Sequence, residues 1–228
     1  MPKSTKALKK SDDSKPWNRT SSLSGYRTNS IPINKTILIV CEGQTEAEYF
    51  ESFPVLTLKV KTIDLGGESK LKLIDSTQKE IKKSEFKFDE IWCVFDMDVK
   101  RGRDEFSDFD NAIYKAQKLK YKVAYSNDAF ELWFYLHYNS TESQQLRTFY
   151  YRELSKKFGW NYEKVGKKLS NCTNIYQLLL SDPKASQEKA IENAERLYSK
   201  QADLPFHQQN PVTKVFELVV ELNKHLKR

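Results

Sequence analysis

Apolar runs of strand length alternate with amphipathic stretches in the first two thirds of the chain. The runs at 36–41 and 90–95 are uninterrupted and rich in β-branched and aromatic residues, which is typical of strands buried on both faces of a parallel sheet. This alternation predicts an α/β fold with a doubly wound parallel sheet and right-handed crossovers. The predicted strands are 36–41, 58–65, 90–95 and 122–126, and the predicted helices between them start at about residue 46 and cover 70–83 and 109–119.

Helical periodicity dominates the rest of the chain. The beginning of the chain instead combines Ser, Lys, Asn and Thr with almost no apolar periodicity, so it buries too little surface to offset the entropy cost of ordering. The sequence therefore predicts a disordered basic tail at 1–35, an α/β catalytic domain at 36–140 and a helical C-terminal extension at 141–228. The later helices are predicted at 130–138, 144–158, 162–180, 184–201 and 213–227.

Cysteine usage and hydropathy predict a cytoplasmic protein. The three cysteines, Cys41, Cys93 and Cys172, are too scattered for a disulfide framework, and the first two lie inside apolar runs where they are expected to pack in the core. No stretch approaches the roughly 18 consecutive apolar residues that a membrane span needs. The Lys- and Ser-rich start contains no apolar signal core, so no membrane association is expected.

The net charge of +7 is unevenly distributed along the chain. Residues 1–35 carry eight Lys or Arg against two Asp, whereas residues 36–148 carry 16 basic against 20 acidic side chains. Residues 149–169 are basic again, with six Lys or Arg against two Glu. Cationic segments that flank an acidic centre are expected if the flanks capture a polyanion such as nucleic acid. The alternative is that the tail lysines only keep the chain in solution.

Acidic residues follow two of the predicted strands directly. Glu42 comes after the first strand, and Asp96 and Asp98 close the third. Ligands of open parallel sheets bind beyond the carboxyl ends of the strands, so the three carboxylates converge on one crevice if these strands are neighbours. Crowded carboxylates are relieved either by protonation or by a hard divalent cation, and Mg²⁺ accepts such oxygen ligands while keeping several waters. The alternative for the Asp-x-Asp pair is a loop-capping role after a strand.

These motifs resemble a known family. Residues 40–50 look like the opening motif of Toprim domains, and residues 94–98 look like their second acidic motif. Residues 124–137 and 210–213 are similar to signatures of the RloB family. The resemblance implies a Toprim-like fold and an Mg²⁺-dependent phosphodiesterase that is encoded beside an ATPase and associated with defence against phage.

On the matching positions the resemblance makes Glu42 the catalytic acid or base, and Asp96 and Asp98 the metal ligands. Gln44 stands where the family's opening motif often has an acid, a departure that affects none of these ligands.

The function predicted from the sequence is an endonuclease that uses Mg²⁺ or Mn²⁺ and cleaves tRNA or DNA. No Gly-x-x-x-x-Gly-Lys loop occurs in the chain, so an ATP requirement would have to be met by a partner of the ABC or AAA type. A homo-oligomer is compatible with the sequence. One alternative is a catalytically inert Toprim-like subunit that regulates or is sequestered by the ATPase. Phosphoryl or glycosyl transfer is a weaker alternative, because Lys100 occupies the place where an Asp-x-Asp phosphatase motif requires Thr or Val.

Other polar residues are secondary candidates for the site. Glu46 is interpreted as a further metal ligand or as an acid that favours the first turn of a helix. Glu131 is interpreted as a substrate contact or as the second member of a capping box that begins at Asp128. Asn127 is a predicted substrate contact. Arg101 and Arg103 are predicted to grip a phosphate, unless they only solubilise the loop.

Two aromatic segments also have two interpretations. His137 shares a helical stripe with Phe130 and Trp133, so it is interpreted as a histidine at the edge of the core, with a general acid as the alternative. Residues 149–169 mix aromatic and basic side chains, which favours an amphipathic helix pair with buried rings and a lysine face. The alternative is a surface that stacks unpaired bases and holds phosphates.

Overall fold

The structure, a computed structural model, describes residues 35–63, 69–97, 103–166 and 175–227. Across these residues the strands form a five-stranded sheet in the order β2-β1-β3-β4-β5. The first four strands run parallel, and β5 is antiparallel to β4. The strands are β1 (Ile37–Cys41), β2 (Leu58–Thr62), β3 (Glu90–Asp96), β4 (Lys122–Asn127) and β5 (Val212–Thr213).

Helices cover both faces of this sheet. The predicted fold class, a Toprim-like doubly wound α/β sheet with a helical C-terminal region, is confirmed. The α-helices of the described residues are α1 (Gln44–Glu51), α2 (Lys70–Lys83), α3 (Arg103–Lys118), α4 (Glu131–Leu136), α5 (Arg147–Phe158), α6 (Ile175–Ser181), α7 (Gln187–Ser199) and α8 (Val215–Asn223). A π-helical turn occupies Tyr162–Gly166, and a 3-10 helix occupies Phe206–Gln208.

Strand alternation divides the interior into two cores. In β1, Ile37 and Ile39 pack with α1 and the C-terminal helices, whereas Leu38 and Val40 pack with α2 and α3. Every residue of β1 is buried, which explains why its sequence is an unbroken apolar run. The C-terminal helices therefore share one continuous core with the sheet. The division of the chain at residue 140 stays a prediction.

The order of the strands places a crevice between β1 and β3. From β1 the chain moves to β2 on one side, and it then returns past β1 to β3 on the other. Because the direction of travel reverses, crossovers of one hand put α1 on one face and α2 and α3 on the other. This reversal is a topological switch point, where the carboxyl ends of neighbouring strands open a binding crevice.

The ends of several elements differ from the prediction. Helix α1 begins at Gln44 after Gly43, two residues earlier than the predicted helix that Thr45 would cap, and no side chain caps it. Helix α2 has the predicted bounds. Helix α7 begins at Gln187 because the Ser186 side chain accepts a hydrogen bond from the Lys189 amide. Helix α5 ends at Phe158, as predicted, and is followed by Gly159, whose φ of 76° is a left-handed conformation that glycine adopts without strain.

Strand β5 was not predicted. A two-residue strand is too short for a periodicity signal, and Thr213 was assigned to the start of the helix that in fact begins at Val215. The buried hydroxyls of Ser126 and Thr213 lie 2.9 Å apart and join β5 to β4. None of the described helices is long and apolar enough to cross a membrane.

Candidate metal and catalytic site

The carboxyl ends of β1 and β3 lie side by side. Cys41 pairs with Val94, and the Glu42 amide continues the ladder by donating to the Val94 carbonyl at 2.9 Å. The predicted site required the first and third strands to be neighbours. The pairing of β1 with β3 confirms this condition. Glu42 and Asp96 both belong to the edge of the sheet that contains the switch point.

The two acids leave this edge toward opposite faces of the sheet. Side chains alternate along a strand, so Glu42 follows Val40 toward α2 and α3, whereas Asp96 follows Val94 toward α1 and α4. Their contacts agree with this assignment, because Glu42 binds Lys70 of α2 and Asp96 binds the backbone that precedes α4. The predicted convergence of Glu42 with Asp96 on one crevice is therefore wrong, because the two carboxylates belong to separate groups on opposite faces of this edge.

Asp96 has a buried oxygen that the described residues leave without a partner. Its Oδ2 atom accepts a hydrogen bond from the Phe130 amide at 3.0 Å, while no described residue donates to its buried Oδ1 atom. Burial raises the pKa of Asp96 well above its usual value, and the nearby charges of Glu46 and Glu131 raise it further. The Arg147 charge and the Phe130 amide act in the opposite direction. A cation at this position would relieve both the crowding and the unmet acceptor.

Glu46 lies close to the backbone at Gly43. A Cβ atom added to Gly43 would fall 2.1 Å from the Glu46 Oε2 atom, so the absence of a side chain at Gly43 makes room for the carboxylate. Glu46 is the third residue of α1 and is 8% exposed. Both interpretations of Glu46 therefore fit the structure. It occupies the first turn of α1, and its charge raises the pKa of Asp96.

Glu131 is held by an aromatic hydroxyl rather than by a capping box. It is the first residue of α4 and is 5% exposed, and its Oε1 atom accepts a hydrogen bond from the Tyr162 hydroxyl at 3.2 Å. The proposed capping partner, Asp128, instead accepts a hydrogen bond from the Arg147 amide at 3.0 Å, at the start of α5. The capping interpretation of Glu131 is therefore wrong, and its carboxylate faces the site.

Arg147 joins this cluster from α5. Its Nη2 atom donates to the Asp128 carbonyl at 3.2 Å and lies 3.5 Å from the Asp128 Oδ1 atom. The same side chain acts on the pKa of Asp96, so a guanidinium charge belongs to the acidic group. Acids outnumber this cation in the group, since Glu46 and Glu131 both act on Asp96.

Glu42 is paired with a buried lysine. The Lys70 ammonium donates to both carboxylate oxygens, at 2.6 Å and 2.7 Å, and lies 3.6 Å from Glu105 of α3. The Lys70 side chain is 2% exposed, against 23% for that of Glu42. In this arrangement both Glu42 oxygens are engaged by protein.

Residues 37–222 match a family model described as RloB-like protein. The chain belongs to the RloB-like family. The matched segment begins with β1 and ends within α8, so it contains every described residue of both acidic groups. Comparison with curated proteins and with solved structures gave no match.

Several candidate residues of this RloB-like chain lie outside the described part. Asp98 and Arg101 belong to the segment between β3 and α3 that is not described. Arg103 is the first residue of α3, but its side chain is likewise outside the description. Among the residues that are described, no group of three or more His, Cys, Asp or Glu is arranged to hold a metal ion.

Asn127 connects the end of β4 to the segment before β5. It is buried, and its Nδ2 atom donates to the His207 carbonyl at 3.1 Å. By strand alternation it points away from the face that Asp96 and Ser126 share. The structure therefore does not bring Asn127 together with the Asp96 group, and its role in substrate binding stays a prediction.

Within the aromatic and basic segment at 149–169, the described residues 149–165 pack as an amphipathic helix with buried rings would. Tyr150 and Tyr151 of α5 are buried, and so is Tyr162. Cations cover some of the remaining rings, with the Arg152 guanidinium 5.5 Å from the Phe149 ring centroid. This arrangement fits an amphipathic helix with an exposed basic face. Lys167 and Lys168 lie outside the described residues.

His137 is a core histidine of the RloB-like fold. Its Nδ1 atom lies 2.9 Å from the Trp133 carbonyl oxygen, to which it donates, and burial lowers its pKa from 6.5 to about 4. In the unfolded chain His137 therefore binds a proton below about pH 6.5, whereas in the folded chain it stays neutral down to about pH 4. Folding stability falls as the pH drops through this window, by on the order of 3 kcal/mol in total.

We expect His137→Gln to remove this part of the pH dependence. Urea unfolding of the wild-type protein and the variant between pH 7 and pH 4 measures it, and the difference between the two curves isolates His137 because all other titratable groups are shared. The wild-type curve should fall more steeply below pH 6.5. Parallel curves would contradict the assignment of a buried, neutral imidazole.

Sequence reasoning missed Lys70, Glu105 and Arg147. Lys70 was predicted only as the start of the amphipathic helix at 70–83. One signal was present, because a lysine at the first position of a helix is opposed by the positive end of the helix dipole and needs nearby acids. Arg147 offered no comparable signal, since its position depends on how α5 packs against α4.

Proposed function

We propose that this RloB-like protein is a metal-dependent nuclease that hydrolyses phosphodiester bonds of RNA or DNA. The observation that carries the proposal is the buried Asp96 Oδ1 atom, which lies at the end of β3 without a described partner and beside the charges of Glu46 and Glu131. Burial of like charges is costly unless a cation compensates them. A site of this kind at a topological switch point is where an α/β sheet binds its ligands.

Mg²⁺ and Mn²⁺ fit the chemistry of this group. Both take carboxylate oxygens as ligands, and Asp96, Glu46 and Glu131 supply such oxygens from β3, α1 and α4. Asp96 together with Glu46 or Glu131 would hold the ion, and Asp98 stays a predicted further ligand. When bound, the ion would supply charge neutralisation on the phosphate oxygens during hydrolysis.

The remaining residues of the site suit the handling of water and of the substrate. Glu42 lies on the same edge as Asp96 and is partly exposed, so it can orient or deprotonate an attacking water or protonate the leaving oxygen. The basic flanks of the chain suit capture of a polyanion. Arg101 and Arg103 stay predicted phosphate contacts.

The wider setting is part of the proposal and rests on the family resemblance. It comprises a cytoplasmic location, an ABC- or AAA-type ATPase partner and a role in defence against phage. The membership of the RloB-like family supports this setting.

A catalytically inert regulatory subunit is the second candidate function. One observation favours it, because Lys70 engages both oxygens of Glu42 and no described group of three acids is arranged as a metal site. An inert subunit would keep its cellular effect after Asp96 is replaced, whereas a nuclease would lose it.

Incubation of the protein with tRNA, single-stranded DNA and duplex DNA tests the proposal. Each substrate is combined with Mg²⁺ or Mn²⁺ and with EDTA, with and without the ATPase partner. Asp96→Ala is the test variant, and Asp203→Ala, a change at an exposed acid, is the matched control. We expect metal-dependent cleavage by the wild-type protein and by the control. Equal cleavage by Asp96→Ala would refute the assignment of the site.

A further inference from the structure

Lys70 is a buried cation at the edge of the sheet where the nuclease site is proposed. It is the first residue of α2 and is 2% exposed, and its ammonium donates to both oxygens of Glu42. A second carboxylate, that of Glu105, lies 3.6 Å from the same nitrogen. One lysine is therefore shared by two acids that come from different elements.

Helix α3 fixes both ends of this lysine. The Asp108 Oδ2 atom accepts a hydrogen bond from the Lys70 amide at 2.5 Å, and its Oδ1 atom accepts one from the Leu71 amide at 3.4 Å. Glu105 lies one turn earlier on α3 and approaches the ammonium. The two acids of α3 thus hold the backbone and the side chain of Lys70, and Lys70 in turn holds Glu42.

Fold stability alone does not account for this arrangement. Removing an ammonium from water is costly, and buried ion pairs are often no more stable than apolar residues of similar size. The position at the positive end of the α2 dipole adds a further penalty. Two hydrogen bonds to both oxygens of one carboxylate nevertheless restrict it to a single orientation.

We propose that Lys70 is a positioning residue for Glu42 in phosphodiester hydrolysis. The inference rests on the proposed function, and it assigns Glu42 a task that is separate from metal binding. The Asp96 group holds the cation on one face of the sheet edge. Lys70, fixed by Glu105 and Asp108, holds the Glu42 carboxylate on the other face, ready to act on the water or the leaving oxygen.

The test is a double-mutant cycle on cleavage kinetics of the full-length protein. Lys70→Met is expected to lower kcat by about 100-fold with little change in KM, because a misplaced catalytic group costs about that much. Lys70→Arg keeps the charge and two donors, so it should recover at least about tenfold of the loss. Lys79→Met, at an exposed position of the same helix, is the matched control and should behave as wild type.

Glu42→Gln completes the cycle. If Lys70 acts through Glu42, adding Lys70→Met to Glu42→Gln lowers kcat little further, because residues that act as a unit are not additive. If the kcat losses of the two single variants multiply in the double variant, the inference is overturned. An unchanged kcat in a Lys70→Met protein that is folded would also overturn it.

Urea unfolding is measured in parallel on the wild-type protein, Lys70→Met, Glu42→Gln and the double variant. This measurement does not depend on nuclease activity. We expect Lys70→Met to change the unfolding equilibrium less in the Glu42→Gln background than in the wild type. Absence of coupling would show that the two side chains do not pair. A wild-type protein that cleaves nothing defeats the nuclease proposal first. If the wild-type protein cleaves nothing but Lys70 and Glu42 are coupled in urea unfolding, the pair is purely structural. That result also overturns the positioning role.

Discussion

Replacement of Asp96 by asparagine is expected to abolish metal-dependent cleavage and to stabilise the metal-free protein. The variant keeps an oxygen that can accept from the Phe130 amide, but it removes a carboxylate whose pKa is raised by burial and by Glu46 and Glu131. Loss of a buried like charge favours the folded state. Loss of a proposed metal ligand should lower the cleavage rate by at least about 100-fold.

Thermal unfolding without Mn²⁺ measures the stabilisation, and the shift of the midpoint on adding Mn²⁺ measures the loss of metal binding. Cleavage itself is measured in the assay with tRNA and DNA described above. Without metal, the midpoint of Asp96→Asn should lie above that of the wild-type protein. With metal, the wild-type midpoint should rise and that of the variant should stay unchanged, because a ligand stabilises the state to which it binds. Asp203→Asn is the control at an exposed acid. A variant that is less stable without metal, or that responds to Mn²⁺ as the wild type does, would contradict the account.

Replacement of Trp133 by alanine is expected to cost about 4 kcal/mol of the free energy of unfolding. Trp133 is fully buried in α4, and its indole nitrogen donates to the Tyr49 hydroxyl of α1 at 2.9 Å. The substitution creates a cavity and leaves a buried hydroxyl without its donor. The whole described fold, and not only α4, should be destabilised, because α1 and α4 pack against the same core as β1 and β3.

Urea unfolding followed by far-UV circular dichroism tests this prediction. The backbone signal is used because the substitution removes a tryptophan and so changes the fluorescence. We expect one cooperative transition for the wild-type protein and for Trp133→Ala, with a lower midpoint in the variant. Trp133→Phe, which keeps most of the ring volume, should lose less, and Leu56→Ala at an exposed position should change the stability by less than about 0.5 kcal/mol. Two separate transitions would show that the C-terminal helices do not form one core with the sheet.

The centre of the sheet could be predicted because β1 and most of β3 and β4 are buried. An unbroken apolar run such as that of β1 has few other interpretations, and the acid that follows it marks the carboxyl end of a strand. The bounds of α2 were also predictable from its apolar periodicity. Strand β5 was not, since its two residues pair with β4 only through the tertiary fold.

The grouping of the acids could be predicted only in part. The edge that carries Glu42 and Asp96 follows from the order of the elements, but the face toward which each acid points depends on strand register. Glu131 and Arg147 join Asp96 through the packing of α4 and α5, for which no local pattern exists. Lys70 illustrates the same limit, because its partners lie 28 and 35 positions away along the chain.

Anomalous scattering from crystals soaked in Mn²⁺ shows whether Asp96 binds a metal ion. We expect an ion at about 2.1 Å from a carboxylate oxygen of Asp96. We also expect Glu46 or Glu131 among the ligands, and Glu42 still bound to Lys70. No ion at Asp96 under saturating Mn²⁺, in a lattice that leaves this edge of the sheet open, would contradict this expectation.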